Sequence, residues 1–480
     1  MLFFCKKFAY VIFLQYLCNG KILKTIDMEL LKHAWEWFNT QVSSALLVNA
    51  IVALIFWFFG FLGRKLLDWI RSIMLKVRNE EIKDEYMDSI VPFDIVSPCY
   101  APELANMRLL KNRFVFEIPE QKRKELAAQK SITGEQKFAI HEPAKLDGDN
   151  HDLYKFLLRH YSKRFPDAAS VDTFLNEKIA STADYFIERL QQGKLAFNNR
   201  QIGIDHIDIY RQDKEAGKGE EKQVLDLDLY ETDYFTAQVM VHVYQYLRQL
   251  DAKYKKNNPE YSSPFDQINT YVLNNEMRPF MSSLGVGGYI IFDRGQGLEY
   301  WTVQRSENVR NGSNKNMELR SYSFDETMDL KDRIEDISDS STISAYVGAN
   351  RAIQEELGLF TKKDERVRGA VGDFHMTGLI LIRTDDSQNA RFEMQLLGYT
   401  FVHFNDNFTY NDLILKKRNA QDSSFEAVVV YANKLKDRLV GIVEGSYTHT
   451  PESVYYAETL RNMEDRGYIH VEYKDDTKRR

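Results

Sequence analysis

The sequence predicts a membrane-anchored α/β protein with an N-terminal transmembrane helix, an α+β middle region and a C-terminal α/β sandwich. Three observations carry this reading. The run from Val42 to Leu62 is twenty-one residues without a charge. Helical and alternating apolar patterns interleave from His151 to Leu284. From Gly285 onward, strand patterns surround one internal helix and are closed by a terminal one.

Composition sets the outer limits. At 480 residues and 44% apolar content, the chain can fill two or three cores. Charged residues of both signs make up 28%, which excludes wholesale disorder. A net charge of -7 argues against a protein that coats nucleic acid, so no nucleic-acid partner is expected. Residues 1–80 carry ten Lys/Arg against five Asp/Glu, a net +5, which leaves -12 on the other 400 residues. A basic N-terminal part joined to an acidic remainder suits an anchor with its cargo. The cysteines are Cys5, Cys18 and Cys99, too few for a disulfide framework, and the ten histidines form no HxH or HxxxH pair.

In chain order, residues 1–41 form an N-terminal segment. Its apolar stretch from Phe8 to Cys18 follows Lys6 and Lys7 and is a candidate for a short first membrane helix or a signal-type segment, with Met28 as an alternative start. Residues 42–62 are the expected transmembrane helix, since twenty-one residues at about 1.5 Å each span roughly 30 Å. Arg64, Lys65, Arg71, Lys76 and Arg78 follow it and place the soluble part on the cytoplasmic side. Asn49, midway along, is a polar group that can bond across to a second copy of the helix.

Residues 63–150 read as a juxtamembrane helix that ends at Pro92, followed by polar connectors. Residues 151–284 form the middle region. It has helices at 151–165 and 169–192, a strand pair at 202–210 and 224–230, and a helix at 234–250 capped by Thr232 or Asp233. Asp226 and Asp228 alternate on the second of these strands as a solvated face. Residues 285–472 form the last region, with strands at 285–293 and 298–306 around a turn at Arg294–Gly297. A further strand is expected at 317–325, a helix at 347–360, two strong strands between 376 and 404, and a helix opened by Thr450-Pro451-Glu452.

The string that carries chemistry is Arg351-Ala352-Ile353-Gln354-Glu355-Glu356-Leu357-Gly358-Leu359. It resembles the core of the NUDIX box, R-E-U-x-E-E-x-G-U with U aliphatic, at Arg351, Ile353, Glu355, Glu356, Gly358 and Leu359. It departs from it at Ala352, where the box has Glu, and at Ile337 and Ile343, where the full box has Gly and Glu. Box glutamates gather Mg²⁺ to neutralise a diphosphate and generate hydroxide. Three or four residues of spacing would turn positions 352, 355 and 356 to one helix face. With Ala352 and Ile343 two of four carboxylates are lost, unless Asp336 or Asp339 stands in for the upstream one. The resemblance thus leaves Glu355 and Glu356 as metal candidates and favours a pocket kept for binding. No Ser/His/Asp or Cys/His constellation offers another catalytic group.

An apolar helix, a mixed middle region and a degenerate NUDIX domain together resemble the membrane-NUDIX effectors of bacterial cyclic-oligonucleotide antiphage signalling (CBASS), whose sensor is the SMODS-associated NUDIX domain. The resemblance implies a cyclic nucleotide ligand, homo-oligomerisation through the membrane helix, a bacterial inner-membrane location with cytoplasmic soluble domains, and disruption of that membrane. The alternatives are a tethered NUDIX hydrolase of a nucleoside diphosphate derivative and a membrane-anchored scaffold. Such a ligand needs cations for phosphate and rings for its bases. The candidates on the pocket strands are Arg305, Arg320, Tyr322, Phe374, His375 and Arg383.

Overall fold

A computed structural model describes residues 90–93 and, within 105–469, all but 130–137, 147–151, 194–195, 213–221, 268–274, 306–318, 335–341, 385–390, 421–426 and 444–445. Residues Arg78–Arg480 form one compact unit.

Two sheets organise it. The smaller has three strands in the order β2–β4–β3: β2 (Ala105–Arg113), β4 (Lys222–Asp233) and β3 (Arg200–Gln212). Strands β3 and β4 form the antiparallel hairpin that the alternation at 202–210 and 224–230 predicts, and β2 adds to β4 in parallel. Leu225, Leu227 and Leu229 are fully buried on one face, while Asp226 and Asp228 alternate with them. Helices α1 (Glu120–Ala128), α2 (Asp152–His160), α3 (Ala168–Gln191) and α4 (Tyr234–Asn257) accompany this sheet. Asp233 caps α4 by accepting a 2.8 Å hydrogen bond from the Thr236 amide.

The larger sheet runs β1–β9–β10–β5–β6–β11, with short β7 beside β6 and β8 beside β5. Its strands are β1 (Ile90–Phe93), β5 (Leu284–Asp293), β6 (Leu298–Arg305), β7 (Arg320–Ser321), β8 (Phe324–Thr327), β9 (Val371–Thr384), β10 (Arg391–Val402) and β11 (Ala427–Lys434). Only β5 and β10 pair in parallel. They approach closely at Gly288 and Gly398, where a Cβ on Gly288 would stand 1.7 Å from the Gly398 carbonyl oxygen. The turn between β5 and β6 uses Gly295 and Gly297 at positive φ, as Arg294–Gly297 predicts.

Side-chain alternation sorts the larger sheet into two faces. Leu284, Val286, Ile290 and Phe292 of β5 join one core, which is continuous with that of the middle region, and Tyr289 and Ile291 join the other. Helix α5 (Ala345–Leu357) packs on the first face with α4 and α7 (Tyr410–Arg418). Helix α8 (Pro451–Asp465) covers the second, over a layer of Tyr289, Tyr300, Tyr322, Tyr399 and Tyr456. The remaining pieces are α6 (Glu365–Ala370) and the hairpin β12 (Ile442–Val443) and β13 (Ser446–Tyr447).

The expected fold class needs correction. The fold class is mixed α/β: among the described residues no helix is long and apolar enough to cross a membrane. The segment 42–62, on which that expectation rested, lies outside the described residues, as does the short run before it. Residues 63–150 are also more than helix and connector, because β1 and β2 each join a sheet. Both were hidden for the same reason. A strand of four residues containing Pro92, or one reading ANMRLLKNR, shows its role only through its neighbours. The split expected at residue 284 is bridged, since Phe392 of β10 packs against Tyr244, Phe265 and Phe280.

Candidate functional site

Helix α5 carries the Arg351–Leu359 string and is fixed at both ends. Ser344 accepts from the Val347 amide, and Gly358 closes the helix at φ 67°. A Cβ on Gly358 would lie 2.5 Å from the Lys416 carbonyl oxygen, so glycine is needed for close approach as well as conformation. The buried Lys417 donates to the Glu356 carbonyl at 2.7 Å, a cation placed on the negative end of the helix.

Arg351 lies behind the helix and ties down the preceding loop. Its Nε and Nη2 donate to the Asp332 carboxylate at 2.9 and 3.0 Å, and Nη2 also donates to the Thr327 carbonyl at 2.7 Å. Asp332 is 0% exposed and takes a further bond from the Asp329 amide. Burial pulls the Arg351 pKa down, but the bonds and charge of Asp332, with Glu326 and Glu355, outweigh it and the net shift is upward.

The box glutamates do different work. Glu356, 6% exposed, accepts the Asp325 amide at 2.8 Å and so holds β8 against the helix. Glu355 is more open and sits 3.5 Å from Arg351. Ala352 and Ile343, which stand where the box would place carboxylates, are 0% and 1% exposed and belong to the core. Asp336 and Asp339 lie outside the described residues. Among the described residues no group of three or more His, Cys, Asp or Glu is placed to hold a metal ion. With one carboxylate spent on a backbone amide and the other beside a guanidinium, these residues do not fit Mg²⁺.

The six nucleotide-binding candidates do not meet in one place. Tyr322 and His375 face α8: Tyr322 packs on Tyr289 and Tyr456, and His375 stacks on Tyr399 at 5.0 Å. Arg320, at the start of β7, lies 3.4 Å over the Tyr431 ring. Phe374 belongs to the opposite core, against Phe324 and under Gly398. Arg383 donates to the Phe265 carbonyl and joins β9 to the middle region. The side chain of Arg305 lies outside the described residues, although its backbone pairs with Ala427.

The α8 face holds polar residues that lie outside the Arg351–Leu359 string. Buried oxygens of Tyr322 (Oη), Gln395 (Oε1), Glu452 (Oε2) and Thr450 (Oγ1) have no hydrogen-bond partner among the described residues. Such atoms are costly to bury, and their concentration in one place marks a candidate binding locus. Two signals were present in the sequence. Gln395 interrupts an apolar strand, and Glu452 directly follows the proline that opens a helix. At the edge of this locus, burial pushes the His449 pKa down to about 4, opposed by the Val440 carbonyl and helped by Arg320. His242 in the middle region is lowered to about 4 by burial and by Lys178.

Both histidines are therefore neutral in the folded protein while the unfolded chain takes up protons near pH 6.5. Stability is complete above the unfolded pKa and falls as pH drops from 6.5 toward 4. Between pH 7 and 5 each site should cost about 2 kcal/mol. Urea unfolding at the two pH values, with His449→Asn recovering part of the loss, checks this. An unchanged midpoint would contradict it.

No protein-family model matches this chain, and no curated protein matches it. A mutT/nudix family protein from Listeria innocua is among the solved structures similar to it, at 11% identity, over 39% of this chain and 96% of that chain, with a TM-score of 0.25.

Proposed function

We propose that the C-terminal region is a NUDIX-like sensor that binds a cyclic oligonucleotide and holds it without hydrolysis, so that the ligand drives self-association of the chain in antiphage signalling. The observation that carries the non-hydrolytic part is the commitment of the box. Ala352 and Ile343 are core residues, Arg351 is locked on Asp332, and Glu356 is spent on the Asp325 amide. A box converted to a structural brace keeps the shape of the site and gives up the metal. The resemblance to SMODS-associated NUDIX domains supports the ligand class, and the tyrosine layer with Arg320 and Arg391 near it supplies rings and cations of the required kind.

Ligand shifts the population of assembled chains only by binding the assembled state more tightly. The test is the melting temperature of the full-length chain against cyclic di- and trinucleotides, with linear nucleoside diphosphate derivatives and Mg²⁺ alongside. At a hundredfold excess over its dissociation constant, a ligand stabilises by about 2.7 kcal/mol. A shift with a cyclic species, left intact after incubation, is the expected result. Turnover of the linear diphosphates would move the function to the hydrolase.

A further inference from the structure

The locus under α8 has a donor and acceptor pattern of its own. Three of its buried oxygens belong to side chains that are 0–3% exposed: Tyr322, Gln395 and Glu452. They are brought together by the backbone. Arg320 bridges His449 in parallel register and bonds on either side of it, its amide donating to the Thr448 carbonyl at 3.0 Å and its carbonyl accepting from the Thr450 amide at 2.9 Å. That register sets Tyr322 alongside Thr450 to Glu452. Gln395 and Tyr322 share the space above Gly287, where a Cβ would lie 2.8 Å from one and 2.9 Å from the other.

The polarity of each atom is determined. Gln395 Nε2 donates to Asp325 at 2.6 Å, so its unpartnered atom is the carbonyl oxygen, which can only accept. Glu452 Oε2 is likewise an acceptor, its other oxygen being 3.4 Å from Arg391 Nη1. Two obligate acceptors beside the Tyr322 hydroxyl call for a ligand with two neighbouring donors and an acceptor.

Resting on the nucleotide-binding reading above, we infer that this set reads the Watson–Crick edge of a guanine base. Its N1–H and N2–H₂ would donate to Glu452 and Gln395, and O6 would accept from a hydroxyl. Adenine presents one amino donor next to an acceptor and would leave one buried acceptor unmatched. Arg391, 43% exposed at its side chain and beside Glu452, is a cation available to a phosphate on the ribose of that nucleotide. Because Tyr322 and Glu452 are buried, the base enters by displacing the first turn of α8, which begins at Pro451 without a side-chain cap. Binding is thereby coupled to a movement of that helix.

The experiment is calorimetric titration of the full-length chain with cyclic di-GMP, cyclic di-AMP and the inosine analogue of cyclic di-GMP, which lacks N2. Guanine should be preferred over both by tenfold or more, about 1.4 kcal/mol. Glu452→Gln, nearly isosteric, should lose about tenfold for the guanine and inosine ligands alike, since both keep the N1–H that Glu452 accepts. Equal affinity for the guanine and inosine ligands, or tighter binding of adenine, overturns the guanine assignment and leaves the sensor reading standing. If none of these ligands nor any cyclic trinucleotide binds, the sensor reading itself falls, and this inference with it. A high-resolution structure of the complex with ordered water alone on the three oxygens, and the base elsewhere, also overturns it.

Discussion

Replacing Arg351 with Ala is expected to cost about 3–5 kcal/mol of folding stability, because it strands a carboxylate inside the protein. Asp332 is 0% exposed, and two of its bonds come from this one guanidinium. The backbone would suffer too, since the same side chain satisfies the Thr327 carbonyl where β8 ends. Denaturant unfolding of the single variants and of Arg351→Ala with Asp332→Ala separates these effects. The double variant should lose clearly less than the sum of the two singles, as the stranded charge is then gone. A loss below 1 kcal/mol for Arg351→Ala would show that water reaches Asp332 and that the brace is weak.

Ala352→Glu, which completes only the core of the box at the level of sequence, is expected to damage the protein without restoring chemistry. Ala352 is 0% exposed on the face of α5 that packs toward β5, β8 and β9. A glutamate there adds volume to a filled core and buries a charge without a partner. Together these should cost about 4 kcal/mol or more. The measurement is paired: unfolding midpoint, and Mg²⁺-dependent release of products from a nucleoside diphosphate derivative. A stable variant with turnover would mean that the helix can rotate its 352 position outward and that the natural chain is an enzyme with one group missing.

The same box shows how far the sequence could be read. The helix, its end at Gly358 and the strands around it were legible, since 3.6-residue periodicity and a glycine at a helix end are local signals. The hairpin at 202–230, the cap at Asp233 and the turn at Arg294–Gly297 were legible on the same ground. The side-chain duties were not. Spacing places Glu355 and Glu356 on neighbouring positions, but only the approach of β8 gives Glu356 the Asp325 amide to accept. Arg351 stands one turn before Glu355, 3.5 Å away, but its main partner is Asp332, nineteen residues away. The binding candidates were chosen for residue type on strands. Tyr322 faces α8, while Phe374 belongs to the opposite core, because a bulge near Gly398 and the parity along each strand decide which face a residue meets.

By itself, the sequence determined the local elements, the degenerate character of the box through Ala352 and Ile343, and the uncharged run at 42–62. These follow from periodicity, turn chemistry and residue identity, all of which act over a few residues. Only the tertiary structure decided that β1 and β2 belong to sheets, that one core runs through the middle and C-terminal regions, and that Glu452, Gln395 and Tyr322 converge under α8. Those facts depend on strand register and on which faces meet, and burial turns residues far apart in the chain into neighbours whose polar atoms must match each other or a ligand.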